Sequence, residues 1–278
     1  MCNRKYCYSD CIPSAYLMSD KLAKQVEEII KNLPIKATTG RPSTNVMAAL
    51  HGIYFLLRTG IQWGALPKCF GDDSAIHRML IKLKFLGFFE KLWHKELVDY
   101  EQKHGLELSI QSSDCSQIKA PLGGDKTGPS PVDRAKLGTK RSIVVTKKGI
   151  PISLLLAPAN RHDSILLYET IKAIPSCLSQ PYCKEIELDA AYDSEYTRTM
   201  LFNVGYIGRI SKNKHKKHSF ESLFSKARKN IHRWVVESTH SWMNRFRRLL
   251  VRFEKSADNY KALCHFAFSV IIFNKIGV

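Results

Sequence analysis

The sequence predicts an α/β protein in which a mixed five-stranded sheet is flanked by helices and follows an all-helical N-terminal domain. Within residues 1–105, the periodic segments repeat their apolar residues at three- and four-residue steps, as helices do. From residue 106 onward, short β-branched and apolar runs bounded by turn residues predict strands. The helical period returns in residues 231–253 and 257–273. We therefore expect two domains, a helical one at 1–105 and an α/β one at 106–278.

The N-terminal region is predicted to be a compact group of helices with ordinary cap and stop signals. Pro34 stops the first helix, Ser43 or Thr44 can cap the second, and Gly60 ends the second. The predicted helices are residues 19–33, 43 or 44 to about 58, 72–87 and 88–103. Such a unit can place a helix in a DNA groove or pair two protomers, and a scaffold that touches no DNA fits the pattern equally well.

The α/β region is predicted from strand runs, a long loop and two capped helices. The predicted strands are residues 106–114, 142–148, 151–159, 184–189 and 206–211. Seven glycines and prolines make residues 115–140 a loop, and its lysines and arginines fit a DNA-facing role or a solvated, mobile one. Asp163 is expected to cap a helix over 164–174, and Asp193 to lie at the N-cap of a helix ending near 203.

The long helix predicted at residues 231–253 has two distinct faces. One is an apolar stripe that would pack on the sheet. The other is polar and carries Glu237 among Arg233, His240, Asn244 and Arg248. Glu237 is therefore either a salt-bridge partner or a metal ligand beside a bound polyanion.

Net charge identifies the class of partner. Lysine and arginine number 43 against 25 acidic residues, which gives a net charge of +18. Such an excess attracts polyanions and releases counterions on contact, so we expect a nucleic acid partner. An anionic membrane surface is the competing partner, but no separate lysine-rich amphipathic segment supports it.

Cysteines and apolar runs argue for a reduced, soluble protein. None of the eight cysteines forms a CxxC pair, so we expect free thiols rather than a zinc site. The N-terminus lacks the apolar run of a signal peptide, and the longest apolar run, 262–273, is too short to span a bilayer. We expect a cytoplasmic protein that meets no membrane.

Three acidic residues are placed where they can converge. Asp114 ends the first predicted strand, Asp189 ends the fourth, and Glu237 lies on the late helix. Carboxylates that close together repel unless cations lie between them. Mg²⁺ prefers such oxygen ligands, and two such ions about 3.5–4 Å apart can promote phosphoryl transfer. The pattern therefore predicts that these three residues hold Mg²⁺, with Asp193 serving only as a helix cap.

Four segments resemble the transposases of bacterial insertion sequences, in the group typified by insertion sequence five. They are TGIQWGALP, GPSPVDRAKLGTKRSIVVTKKGIPISLLLAPANRHDS, LDAAYDS and RWVVESTHSWMNRFRRL, and the resemblance extends over residues 40–275 or so. It implies a ribonuclease-H-like core whose Asp-Asp-Glu triad is Asp114, Asp189 and Glu237, with Mg²⁺ bound and Mn²⁺ able to substitute. A related pattern of tyrosine, arginine, glutamate and lysine is only partly present, because Asn230 and Asn244 replace its tyrosine and lysine.

The resemblance implies a DNA transposase that binds terminal inverted repeats, cleaves the DNA ends and joins them to target DNA, as a homodimer on double-stranded DNA in the bacterial nucleoid. A ribonuclease-H-like nuclease without strand transfer and a non-catalytic DNA-binding derivative are the alternatives. The expected DNA contacts are Arg134, Lys136, Lys140, Arg141, Arg233, Arg245 and Arg248.

Overall fold

The computed structural model of the chain describes residues 12–35, 44–178, 181, 184–211 and 234–277. In chain order its elements are α1 (Asp20–Lys31), α2 (Val46–Thr59), α3 (Asp73–Phe85), α4 (Phe88–His104), β1 (Ile110–Lys119), β2 (Gly128–Pro129), β3 (Leu137–Thr146), β4 (Pro151–Pro158), α5 (Asp163–Lys172), β5 (Lys184–Leu188), α6 (Glu195–Asn203), β6 (Tyr206–Ile210), α7 (Trp234–Asn244) and α8 (Ala257–Ile276). The predicted helices and strands are thus confirmed in type and order, with differences at several ends.

The chain divides into two compact units. The first consists of Met1–Leu97 with Met243–Val278, and the second of Val98–Trp242. The predicted division at residue 105 differs at the C-terminal end, where α8 belongs with the N-terminal helices. The predicted roles of the two domains stay predictions.

The core of the first unit is built around α8, whose residues from Ala262 to Ile272 are all buried. The Phe266 ring on α8 lies 5.9 Å from the Tyr54 ring and 5.7 Å from the Phe89 ring, measured between centroids. A helix that is apolar on every side must be enclosed by other helices to leave water. This requirement explains why residues from both ends of the sequence share one core.

Within the first unit, the ends of α2 follow local chemistry. Asn45 caps the helix, because its side-chain oxygen accepts a hydrogen bond from the Ala48 N–H (2.9 Å). The predicted caps, Ser43 or Thr44, are therefore wrong by one or two positions, and Ser43 lies outside the described residues. Gly60 ends the helix in the left-handed conformation, as predicted.

The second unit contains a six-stranded mixed sheet with the order β2-β3-β1-β5-β6, and β4 pairs with β3. The β1–β3 and β3–β4 pairs are antiparallel, whereas β1–β5 and β5–β6 are parallel. The five predicted strands are all present, and the two-residue strand β2 is the sixth. Because β1 pairs with β3 as far as Lys119–Gly138, it continues five residues past its predicted end at Asp114. The predicted loop at 115–140 is correspondingly shorter.

Two helix caps differ from their predictions. His162, rather than Asp163, caps α5 by accepting from the Ser164 N–H. Ser194, rather than Asp193, caps α6 by accepting from the Thr197 N–H. In both cases a residue next to the aspartate caps the helix, and the aspartate forms an ion pair instead.

The α7 helix ends at Asn244, so the predicted helix over 231–253 is too long at its C-terminal end. A separate turn of 3₁₀ helix follows at Arg247–Leu249. The start predicted at residue 231 lies outside the described residues.

In the second unit, α7 packs against the turn between β3 and β4. The Thr239 hydroxyl donates to the Gly149 carbonyl (3.0 Å). Gly149 has a φ of +75°, and a Cβ placed there would lie 3.1 Å from the Trp242 ring and 3.2 Å from Val235. Glycine is therefore needed at this turn because its φ is positive and because a side chain there would collide with α7.

Within the described ranges, none of the helices has the length and apolar character needed to cross a bilayer.

Replacing Gly149 with alanine should destabilise the second unit more than the same change at Gly105. Gly105 has a similar φ of +68° but open space around it, so Gly105→Ala should cost only the backbone term of about 1–2 kcal/mol. Gly149→Ala adds a clash with α7 worth roughly a further 1–3 kcal/mol. Urea unfolding of both variants measures the difference, and equal losses would show that α7 does not pack closely on this turn.

Candidate active site

The two candidate aspartates lie level with each other across the central parallel strands. The parallel pairing of β1 and β5 is in register from Ile110–Glu185 to Ser112–Glu187. Asp114 and Asp189 each lie two residues beyond this last pair, so they occupy equivalent positions on the two neighbouring segments of the chain. Adjacent strands are about 4.8 Å apart, and residues at equivalent positions face the same side of the sheet. This register predicts that the two carboxylates lie on one face of the sheet.

The same face carries a further acid beneath this pair. Glu187 is almost fully buried, and its carboxylate accepts a hydrogen bond from the Ser112 hydroxyl (3.3 Å). This bond joins β1 to β5 two residues before Asp114 and Asp189. It fixes the register of the strands just below the aspartates.

Asp189 is held by the turn that follows its strand. Its Oδ1 accepts a hydrogen bond from the Ala191 N–H (2.9 Å), and Asp189 thereby caps the 3₁₀ turn Ala190–Tyr192. This leaves Oδ2 for another partner, and the side chain stays partly exposed. A partly exposed carboxylate with one oxygen outside this hydrogen bond is suited to bind a cation.

Asp193 has a different environment, although it is only four residues further on. It is buried and pairs with Arg198 at 2.8 Å. Its role is an ion pair at the start of α6, so the predicted helix-cap role is corrected while its exclusion from the candidate triad stays a prediction.

Behind Asp114, the opposite face of β1 holds a buried polar cluster. The Cys115 thiol lies 3.5 Å from the Tyr192 hydroxyl, and Tyr192 is only 1% exposed. Burial is the main cause that raises the pKa of Cys115 to about 12, so its sulfur stays protonated. Burial also raises the pKa of Tyr192 well above its ordinary value. Both groups are therefore neutral and act through hydrogen bonds.

The third candidate acid, Glu237, lies in the first turn of α7 and is exposed. His240 follows it by three residues, or about 4.5 Å along the helix. Although His240 was expected on the polar face of this helix, it is buried.

His240 links this helix to the strand of Asp114. Burial and the nearby Arg141 charge lower its pKa to about 3, while the Asp114 backbone acts in the opposite direction. Within the described part of the chain, neither ring nitrogen makes a hydrogen bond of ordinary geometry. The ring is thus neutral and lies against the Asp114 backbone. This contact places α7 beside β1.

The register of β1 and β5 places Asp114 and Asp189 two residues beyond the same paired position, and Glu237 lies on α7, whose His240 ring lies against the Asp114 backbone. Among the described residues, no set of three or more His, Cys, Asp and Glu side chains is arranged to hold a metal ion. The complete triad of Asp114, Asp189 and Glu237 remains a prediction.

Sequence reasoning assigned no role at this site to Ser112, Glu187, Cys115 and Tyr192, and it placed His240 on the polar face of the long helix rather than in the interior. Signals for them were weak but present. Cys115 and Tyr192 lie one and three residues after the candidate aspartates. His240 has helical spacing from Glu237.

The basic residues predicted to contact DNA fall into two groups. Arg134, Lys136 and Arg245 are exposed, as a phosphate contact requires. Arg233 lies outside the described residues.

The other group is committed to contacts inside the protein. Lys140 pairs with Asp163 at 2.6 Å and donates to the Arg161 carbonyl. Arg141 is fully buried in β3. Buried Arg141 thus presents no charged group to solvent, whereas the predicted DNA contact of Lys140 stays a prediction.

Arg248, in the first unit, is buried like Arg141. Its Nη2 donates to Glu254 Oε1 at 2.5 Å and its Nη1 to the Ile61 carbonyl at 3.0 Å. The guanidinium also lies within 6 Å of the Trp63 and Phe253 ring centroids, at 5.9 and 5.7 Å. It is therefore a buried anchor between two segments of the first unit rather than a phosphate contact.

The mixed sheet, its flanking helices and the helical unit define the class as a ribonuclease-H-like α/β protein. Residues 113–272, more than half of the chain, match the family described as "Transposase DDE domain". Residues 18–93 match the family described as "Putative transposase of IS4/5 family". The chain belongs to the DDE transposases of the IS4/5 family.

Two curated relatives come from Burkholderia cepacia. The chain is 35% identical over 161 residues to a protein described as "Putative transposase for insertion sequence element IS402", covering 55% of this chain and 72% of the relative. It is 32% identical over 94 residues to "Insertion element IS402 uncharacterized 16.2 kDa protein", covering 33% of this chain and 64% of that protein.

Among solved structures, the fold is similar to the piggyBac transposase in its synaptic complex with hairpin DNA. The TM-score is 0.50 at 11% sequence identity, covering 95% of this chain and 74% of the piggyBac chain. This similarity supports the fold alone.

Breaking the Arg248 pair should unfold the first unit rather than weaken DNA binding selectively. Glu254→Gln leaves a buried arginine without its counter-charge, which should cost about 3–5 kcal/mol. Glu107→Gln makes the same chemical change at an exposed pair with Lys147 (3.8 Å) and should cost about 0–1 kcal/mol. Thermal and urea unfolding compare the two, and a stable Glu254→Gln protein with weakened DNA binding would restore Arg248 to the DNA contacts.

Proposed function

We propose that this chain is a transposase that binds the terminal inverted repeats of its own insertion sequence, cleaves the DNA ends and joins them to target DNA. The reaction class is metal-dependent phosphoryl transfer from one hydroxyl to another. It would act in the bacterial cytoplasm, on the nucleoid, as a homodimer assembled on double-stranded DNA.

The observation that supports the proposal is the register of the parallel β1–β5 pairing, whose last pair lies two residues before both Asp114 and Asp189. Carboxylates held close together repel one another unless a cation lies between them or nearby. Family membership adds that the expected cation is divalent. An exposed Glu237 on the helix beside β1 completes the proposed ligand set.

The donor groups fit Mg²⁺, which takes oxygen ligands and retains part of its water shell. Asp114, Asp189 and Glu237 would hold the ion, and Mn²⁺ could replace it. When bound, the ion supplies positive charge to a phosphate and lowers the pKa of a water or hydroxyl.

The protein residues would orient the carboxylates and receive the DNA. The Ala191 N–H holds one oxygen of Asp189, so the other is presented in a fixed direction. Exposed basic residues, among them Arg134, Lys136 and Arg245, would neutralise phosphates and align the scissile bond.

A nuclease that cuts but does not join DNA is the nearest alternative, since it would need the same acids. Incubating the protein with an end duplex, a supercoiled target plasmid and Mg²⁺ separates the two activities. The end duplex is taken from the DNA that flanks this reading frame. Plasmid molecules with the end covalently attached support the proposal, whereas cleaved ends without joined products support the nuclease.

Asp189→Asn should abolish cleavage of the end duplex while DNA binding survives. The amide keeps the side-chain shape but loses the charge that would hold the metal, whereas DNA affinity comes from basic residues elsewhere. Asp193→Asn is the matched control, because Asp193 is engaged with Arg198 and should leave cleavage largely intact. Gel-shift and Mg²⁺-dependent cleavage assays measure both properties. An active Asp189→Asn protein beside an inactive Asp193→Asn protein would reverse the assignment.

DNA affinity should fall steeply with salt. With six to ten phosphate contacts, the affinity should drop by roughly 10³–10⁵ between about 50 and 200 mM salt. Lys136→Gln should weaken binding to all sequences similarly and reduce the salt slope by about one. Fluorescence anisotropy at several salt concentrations gives the slope, and a flat titration would contradict binding through the basic surface.

A further inference from the structure

The strands that carry Asp114 and Asp189 are joined by side-chain bonds on both sides of the acids. Before the acids, the Ser112 hydroxyl donates to the Glu187 carboxylate (3.3 Å). After them, the Cys115 thiol meets the Tyr192 hydroxyl (3.5 Å). The regular β1–β5 pairing reaches only Ser112–Glu187, so the second contact joins the two segments where that pairing has stopped.

The second contact lies behind the candidate site. Cys115 follows Asp114 on β1, so successive side chains direct the thiol to the opposite face of the sheet. Tyr192 is the last residue of the 3₁₀ turn that Asp189 caps. Because only two residues separate Tyr192 from Asp189 in this turn, a shift of the Tyr192 ring would be passed to Asp189 through the backbone.

A hydrogen-bonded support keeps this pair in place. The thiol also interacts with the hydroxyl of Ser142, which is its partner residue on β3. The Ser142 hydroxyl in turn accepts from the Thr170 hydroxyl on α5 (2.7 Å). The contact thus forms the end of a chain that runs from α5 through β3 and β1 to the turn after β5.

We propose that Cys115 and Tyr192 are positioning residues that fix the separation of the Asp114 and Asp189 carboxylates. The inference rests on the proposed function, in which these acids hold a divalent metal. Without this contact the turn after β5 is no longer attached to β1, while the Ser112–Glu187 hydrogen bond and the β1–β5 pairing before it remain. The two aspartates then vary in separation without any loss of charge.

Loss of the Cys115–Tyr192 contact should change the preference of the protein between Mg²⁺ and Mn²⁺. Mg²⁺ demands near-ideal octahedral geometry at 2.0–2.1 Å, and the larger Mn²⁺ tolerates a less regular ligand set. Groups that orient metal ligands change metal affinity by about 10- to 100-fold when they are removed. A looser aspartate pair should therefore lose Mg²⁺ more than Mn²⁺.

The test is Tyr192→Phe, which removes one hydroxyl from a buried ring. Mn²⁺ affinity is measured by electron paramagnetic resonance on DNA-free protein, and Mg²⁺ affinity by competition. We expect Tyr192→Phe to weaken Mg²⁺ binding by roughly tenfold and Mn²⁺ binding by less. Cys115→Ala should weaken binding of the two ions in the same way. The double variant should bind Mg²⁺ no more weakly than the more affected single variant, because both changes remove the same contact.

Tyr206→Phe is the matched control. Tyr206 is also buried, and its hydroxyl donates to Gln111 on the same face of β1 as Cys115 (3.0 Å). Gln111 lies three residues before Asp114, or about 10 Å along the strand. This variant should keep wild-type metal affinities and selectivity, and circular dichroism should show that all variants fold.

The outcomes separate the positioning role from the proposed function. Wild-type metal affinities in Tyr192→Phe, or equal losses in Tyr206→Phe, would overturn the positioning role. If the wild-type protein binds the ions but does not cut an end duplex, the transposase function fails while the affinity comparison still decides the positioning role. A wild-type protein that binds neither ion overturns both.

Discussion

The parallel pairing of β1 with β5 is the interaction on which the candidate site depends. It joins segments that are 75 residues apart in the sequence, and its register puts Asp114 level with Asp189. A slip of one residue would turn Asp189 to the other face of the sheet, because side chains alternate along a strand. The buried Ser112–Glu187 hydrogen bond opposes such a slip, because the slip would break it.

Local features of the backbone could be predicted from the sequence, and features set by distant partners could not. Periodicity and the glycine at position 60 fixed the ends of α2 closely, because helix period and left-handed caps are decided within a few residues. The continuation of β1 past Asp114 depends on hydrogen bonds to β3, which no neighbouring residue signals. The cap of α5 was misplaced by one residue because Asp163, although the preferred residue type for a cap, is engaged by Lys140 from β3, and His162 accepts the Ser164 N–H instead.

The side chains of the candidate site were likewise hard to predict where their roles depend on residues distant in the sequence. The sequence placed both aspartates at strand ends. Asp189 does follow directly after β5, but β1 continues to Lys119, so Asp114 lies inside its strand. The basic residues were harder to sort, since a positive charge in the sequence does not reveal its partner. Arg248 was predicted to contact DNA, but Glu254 and the rings of Trp63 and Phe253 enclose it. Its role depends on tertiary packing, which composition and spacing do not encode.

The placement of α8 among the N-terminal helices has a consequence for the order of folding during synthesis. Residues 98–242 form a continuous segment, so their sheet can close while the rest of the nascent chain is still on the ribosome. The helical unit cannot complete its core until α8 has left the exit tunnel, because Tyr54 and Phe89 lack the Phe266 ring until then. The apolar surfaces of the helical unit therefore stay uncovered until α8 has been synthesised, and the sheet that carries the candidate aspartates can form before the helical unit does.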